Sequence, residues 1–272
     1  MALSDERRTA LEADAGQIIG RYPRSRSALL PLLHLVQAEE GYVSADGIAF
    51  CAGQLGLTEA EVTAVVSFYT MYKRRPVGDY HVGVCTNALC AVMGGDAIFA
   101  DLQRHLGVGN DETTADGKVT LEHLECNAAC DYAPVMMVNW EFFDDMTPHS
   151  ARELVDGLRA GADVAPTRGA PRLCTWRQAS RILAGFPDDQ AAQGHTAGHA
   201  TLAGLRIAKE HGWEPPAASA APDARPGAAS RGTASPGPDR AGTPRASAAK
   251  SSAAKASPAK ARRPGPVEGG QQ

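Results

Sequence analysis

The chain has 272 residues, 43% of them apolar, with 31 acidic and 27 basic side chains for a net charge of −4. Length and apolar content permit one large domain, or two small ones plus a tail. No apolar run approaches transmembrane length, and six cysteines in so long a chain are too few for a disulfide scaffold.

The segment Met1–Arg8 carries no apolar core of a secretory signal, so the expectation is a soluble protein in a reducing compartment, where thiolates survive to bind metal. Residues 1–77 read as a small helical bundle. Ser27 is the expected N-cap of a helix with Pro31 in its first turn, an apolar face of Leu29, Leu33 and Val36, and Gly41 as its stop. Ser44–Leu55 is the next expected helix, and Cys51 within it, among Ile48, Phe50 and Leu55, reads as a small core residue. Thr58-Glu59-Ala60-Glu61 is a capping box that opens a helix through Val62, Val65, Val66 and Tyr69. No helix carries the row of exposed Arg, Asn or Gln that reads base edges, so nucleic-acid binding is not expected.

The pattern changes at residue 78. Tyr80-His81-Val82-Gly83-Val84 is a strand that runs into Cys85, and Ala91–Leu106 follows with helical spacing at Val92, Ile98, Phe99 and Leu102, closed by Gly107. Gly107-Val108-Gly109 begins like a dinucleotide loop but follows a helix instead of a strand. After a turn-rich stretch, residues 118–125 alternate as a strand and deliver Cys126. Pro134–Val138 is a third strand, Trp140–Phe143 its hairpin partner, and Thr147 or Ser150 caps a helix through Leu154 and Leu158. Residues 78–162 thus form a small α/β domain resembling thioredoxin.

Residues 163–214 read as an extended segment with one short helix, Leu202–His211, which lacks a core of its own and is a candidate for docking on a partner. From Pro215 to Gln272 there is no Leu, Ile, Met, Phe, Tyr, Trp or Cys, and ten of the 18 prolines fall there. Nine basic against three acidic side chains give this stretch +6 and leave −10 on the remainder. Such a composition cannot offset ordering entropy, so residues 215–272 are expected to be a disordered, solubilising basic tail.

The chemistry rests on four cysteines. Cys85 and Cys90 have four residues between them, and Cys126 and Cys130 have three. Each pair follows a strand, and two close pairs of thiolates suit a metal or an iron–sulfur cluster. A structural zinc site usually wants C-x2-C knuckles and a redox dithiol wants C-x-x-C, and neither spacing occurs here. Iron–sulfur ligation, zinc and unrelated buried cysteines stay open on spacing alone. Cys174 is isolated, Met136 and Met137 read as core, and the scattered histidines read first as hydrogen-bonded or partly exposed residues, with tuning of a cluster by His81 and His123 as the alternative. No Walker loop or Ser/His/Asp constellation is present, so the chain carries one site and no catalytic residue of its own.

Tyr22-Pro23, Leu35-Val36-Gln37 with Gly41-Tyr42, Phe68-Tyr69-Thr70-Met71-Tyr72, Cys85-x4-Cys90 with Gly94-Gly95, Thr114-Ala115-Asp116-Gly117, Glu125-Cys126-x3-Cys130 and Ala133-Pro134 fall in unbroken order. Over residues 20–160 the chain resembles the E-subunit family of NADH-quinone oxidoreductase, the thioredoxin-like [2Fe–2S] ferredoxin component of respiratory complex I. The resemblance implies an α/β (α+β) fold, with an N-terminal helical bundle, then a thioredoxin-like [2Fe–2S] domain, then the tail. It implies that Cys85 and Cys90 bind one iron and Cys126 and Cys130 the other. It implies flavin mononucleotide (FMN) and NADH on a neighbouring subunit, other peripheral-arm subunits as partners, and a cytoplasmic place on the inner face of the plasma membrane without insertion into it. It also implies a cis Ala133–Pro134 bond. The same module in an NAD-linked hydrogenase or formate dehydrogenase is an alternative, and a zinc-stabilised interaction protein is one of another class. The family commonly has Leu-Gly where Asn127-Ala128 stand here.

Overall fold

The computed structural model describes residues 5–189, 194 and 196–214, and the expectation of a disordered tail over 215–272 lies outside the described residues. Four helices come first: α1 (Asp5–Ile19), α2 (Leu29–Glu40), α3 (Ala45–Leu55) and α4 (Glu59–Phe68). Helix α2 is apolar on nearly every side and buries Leu32, Leu33, Leu35 and Val36 in a core shared with Ile18, Cys51, Leu55 and Val62. Ser44 caps α3 by accepting from the Gly47 N–H, and Thr58 and Glu61 close the expected capping box on α4. Ser27 does not cap α2. It lies in a 3-10 turn, Ser25–Ala28, that runs straight into the helix, so no extended residue is left at the N-cap position.

The second half is a five-stranded mixed sheet in the order β2-β3-β1-β4-β5. Its strands are β1 (Tyr80–Cys85), β2 (Glu112–Thr113), β3 (Val119–Leu124), β4 (Met136–Val138) and β5 (Glu141–Phe143). β1 and β3 are parallel with Cys85 opposite Leu124, and the other pairings are antiparallel. Val82 and Val84 of β1, with Leu121, Met136 and Val138, pack against Ile98 and Leu102 of α6 (Gly95–Leu106) and against Leu154, Val155 and Leu158 of α7 (Pro148–Arg159). Thr147 is the N-cap of α7. The strand β2 hides in the stretch read only as turns.

Two further readings need correction. The single helix expected over Ala91–Leu106 is two, α5 (Ala88–Val92) and α6, broken at Gly94 with φ of +114°. A Cβ on Gly95 would stand 2.4 Å from the Cys85 carbonyl oxygen and 2.9 Å from that of Cys90, so the chain must turn on glycine there. The stretch read as extended before Leu202 contains α8 (Trp176–Leu183), opened by a Thr175–Gln178 capping box. α8 lies along α2: Trp176 is buried and donates its indole N–H to the Gly41 carbonyl at 2.7 Å, and Arg177 donates to the carbonyls of Glu39 and Glu40 at the α2 C-terminus. Helix α9 (Ala203–Glu210) follows with no buried residue. Among the described residues, no helix is long and apolar enough to cross a membrane.

Candidate metal centre

Two loops at one end of the sheet meet around the cysteines. β1 delivers Cys85, whose N–H donates to the Val135 carbonyl at 3.0 Å. Cys90 follows in α5, and Asn87 ahead of that helix reaches across to the Leu124 carbonyl (3.4 Å) and the Glu125 carboxylate (3.3 Å) at the end of β3. The neighbouring strand β3 delivers Cys126, and Cys130 opens a 3-10 turn, Cys130–Tyr132, that leads through a cis Ala133–Pro134 bond into β4. Cys85, Cys90, Ala129 and Val135 form a small apolar cluster with Tyr132, Ala133 and Phe142 packed on it. Cys85 and Cys90 are 2% and 3% exposed, whereas Cys126 and Cys130 face solvent.

All six cysteines are free thiols. The Cys90 thiol lies beside that of Cys85, and the Cys130 thiol beside that of Cys126. Burial pushes the Cys90 thiol up to about 11, aided by the charges of Cys85 and Cys130. Lost hydration, then the proximity of Cys126 and Cys85, raises Cys130. The four sulfurs therefore act on one another across both loops, in two pairs. Among the described residues no three or more His, Cys, Asp or Glu side chains converge as ligands of a single ion. Four soft donors that repel one another when ionised, arranged two and two, fit a binuclear cationic centre such as a [2Fe–2S] cluster. The Ala128 N–H already points at the Cys126 sulfur at 3.4 Å, the kind of contact that tunes such a centre.

The other sequence candidates lie elsewhere. Cys51 is fully buried in the helical core, and burial, then the charge of Glu40, pushes its thiol up to about 12. Cys174 is half-buried, its thiol raised by burial to about 11, and its carbonyl accepts from Asn139. His81 has its ring contacts with groups other than the sulfurs. It is fully buried between Trp140 and Trp176 and meets the Glu122 carboxylate at 2.6 Å. The same carboxylate takes the Lys73 ammonium. Burial pushes the His81 pKa down, whereas Glu122, which burial alone would raise, is held down at about 2 by its bonds to His81 and Lys73. His123 sets its ring edge-on to Phe99. Sequence reasoning missed this Lys73–Glu122–His81 triad, although an acidic residue inside an otherwise alternating strand was the signal for it. It missed Asn87 and an Arg168–Asp144 ion pair for want of any local signal, since their partners lie far along the chain.

The description thioredoxin-like [2Fe–2S] ferredoxin belongs to a family model that matches residues 15–159. The E subunit of the NADH-quinone oxidoreductase of Mycobacterium tuberculosis is 68% identical over 207 residues, which span 76% of this chain and 82% of that one. The protein of the same name from Rickettsia bellii is 37% identical over 148 residues, or 53% of this chain and 89% of that one. Among solved structures, a chain of an NAD+-reducing [NiFe]-hydrogenase aligns with a TM-score of 0.44 at 20% identity, covering 49% of this chain and 23% of that one, too distant to bear on the assignment. The family match and the extent of the mycobacterial similarity agree: the chain belongs to the thioredoxin-like [2Fe–2S] ferredoxin family, with the E subunits of NADH-quinone oxidoreductases.

Proposed function

We propose that Cys85 and Cys90 hold one iron and Cys126 and Cys130 the other iron of a single [2Fe–2S] cluster. In this reading the chain is the electron-transfer subunit of an NADH-quinone oxidoreductase. The carrying observation is the arrangement of two free thiol pairs at the ends of two adjacent parallel strands. When bound, such a cluster accepts and returns one electron at a time. The chain's own contribution is to fix the two loops, exclude water on the Cys85–Cys90 side, and aim the Ala128 N–H at sulfur. FMN and NADH belong to a neighbouring subunit. Leu89 and Val92 on α5, with Met93 just after it, stand exposed beside Cys90, Val92 at 84%, and supply an apolar face for that neighbour within reach of the cluster. The chain sits on the cytoplasmic side, held at the membrane through the complex.

The test is a spectrum and a metal analysis of the purified full-length chain. Iron and acid-labile sulfide in equal amounts, with a [2Fe–2S] absorption and electron-spin-resonance signature, are expected. Serine at Cys85, Cys90, Cys126 or Cys130 lowers or removes that signal, because a hydroxyl is a harder and poorer ligand, while serine at Cys51 or Cys174 leaves it. Full loading of a Cys126→Ser, Cys130→Ser double variant, or zinc in place of iron, overturns the reading.

A further inference from the structure

The loop that carries Cys126 and Cys130 has little core of its own, since Ala129 is its only buried apolar residue among the described ones. The Asp145 N–H donates to the Tyr132 carbonyl and the Met146 N–H to the Pro134 carbonyl, both at 2.9 Å, and a second set of contacts comes from beyond residue 159, where the family match ends. Arg168 pairs with β5 through an isolated bridge to Phe142 and extends a two-pronged contact to Asp144, at 2.9 and 3.2 Å, with both side chains largely buried. Its guanidinium stacks 3.9 Å from the centre of the Phe142 ring and 5.3 Å from that of Tyr132, and it donates to the Thr196 carbonyl at 2.9 Å. The following residues close on the two positions directly after Cys130: the Ala200 N–H donates to the Tyr132 hydroxyl at 3.0 Å, and the Thr201 hydroxyl donates to the Asp131 carboxylate.

We infer that Arg168, Tyr132 and Thr201 are positioning residues for the Cys126–Cys130 ligand pair, clamping it from outside through the segment C-terminal to the family core. The inference rests on the cluster assignment above. The clamp is built from a buried fork, a guanidinium packed against two rings, and two hydrogen bonds to the residues after Cys130. A loop with exposed thiolates and few internal contacts would otherwise open easily and release its iron. Partners that orient ligands from behind typically alter metal retention about 10–100-fold when removed.

The experiment uses the full-length, cluster-loaded protein. Tyr132→Phe keeps the ring and removes the acceptor, Thr201→Val removes the donor to Asp131, and Arg168→Gln removes the fork. Bleaching of the visible spectrum by an iron chelator should accelerate several-fold in the first two and about tenfold in the third. The electron-spin-resonance g-values should shift, which a change in overall stability alone would not produce. Amide exchange of residues 126–132 should also rise in metal-free protein. Arg181→Gln breaks an ion pair with Asp14 in the same C-terminal segment but away from the loop, and should bleach at the wild-type rate. A loaded wild type whose three variants match it in bleaching, g-values and loop exchange overturns the inference alone. A wild type that takes up no iron overturns the assignment beneath it, and unchanged loop exchange in that metal-free chain overturns the clamp as well.

Discussion

Ala128 holds φ of +53°, in the left-handed region that costs an L-residue with a Cβ roughly 1–2 kcal/mol. The conformation is what turns its N–H toward the Cys126 sulfur, and a glycine at this place would meet the same demand without the cost. Ala128→Gly should therefore stabilise the chain by about 0.5–1 kcal/mol in chemical denaturation with cluster content unchanged. A second residue controls acid stability. His34 is buried against the Tyr72 ring with its Nδ1 unpartnered, and burial drives its pKa from 6.5 to about 4. The unfolded chain takes up the proton first, so this contribution is whole above pH 6.5 and is lost as the pH falls from 6.5 to 4, at a cost of about 3 kcal/mol. His34→Leu should flatten the stability profile across that window, read as the difference between wild-type and variant denaturation midpoints.

At the scale of elements, α8 is the piece most dependent on a single side chain. Trp176 is 1% exposed, hydrogen-bonds Gly41 and forms the face that α8 lays on α2. Trp176→Ala should cost about 3–5 kcal/mol and release α8, seen as rapid amide exchange over residues 176–183 with the sheet still protected. The sequence carried a signal for this helix in Thr175 and Gln178, the same box that announced α4 at Thr58. With only eight residues, α8 is too short for apolar periodicity to speak, and Trp176 makes sense only once α2 lies beside it. The four strands that bracket the cysteines were legible because alternation and Pro134 mark them locally. The break between α5 and α6 was half legible: Gly94-Gly95 is visible, but the carbonyls of Cys85 and Cys90 that forbid a side chain at Gly95 come from the fold. The cysteine pairs could be read from spacing, whereas the clamp of Arg168 on Tyr132 joins positions 36 apart across an irregular stretch and leaves no pattern.

Across the whole of the described chain, the Lys73–Glu122–His81 triad ties the connection after α4 to the two central strands. Gln37 reinforces the same junction, accepting from the Lys73 N–H at 2.8 Å and donating to Met71 and Ser180. Glu122→Gln leaves the Lys73 ammonium buried without its counter-ion and should cost about 3–5 kcal/mol in denaturation experiments at neutral pH. Because the Glu122 carboxylate is held at about 2 against an ordinary 4.5, its contribution is complete above pH 4.5 and is lost only as the pH falls toward 2. The variant should therefore differ most from wild type at neutral pH and converge on it in strong acid. Parallel neighbours cannot be joined by a tight turn, so Cys85 and Leu124 come side by side only after the α5–α6 crossover has formed. During synthesis the first cysteine pair leaves the ribosome well ahead of the second, and the Val135 carbonyl that fastens Cys85 emerges later still. Until Cys126 and Cys130 have emerged a nascent chain presents half a set of donors, and the two halves are brought together only once the sheet has closed. The ligand set is therefore a property of the closed sheet and not of either loop alone.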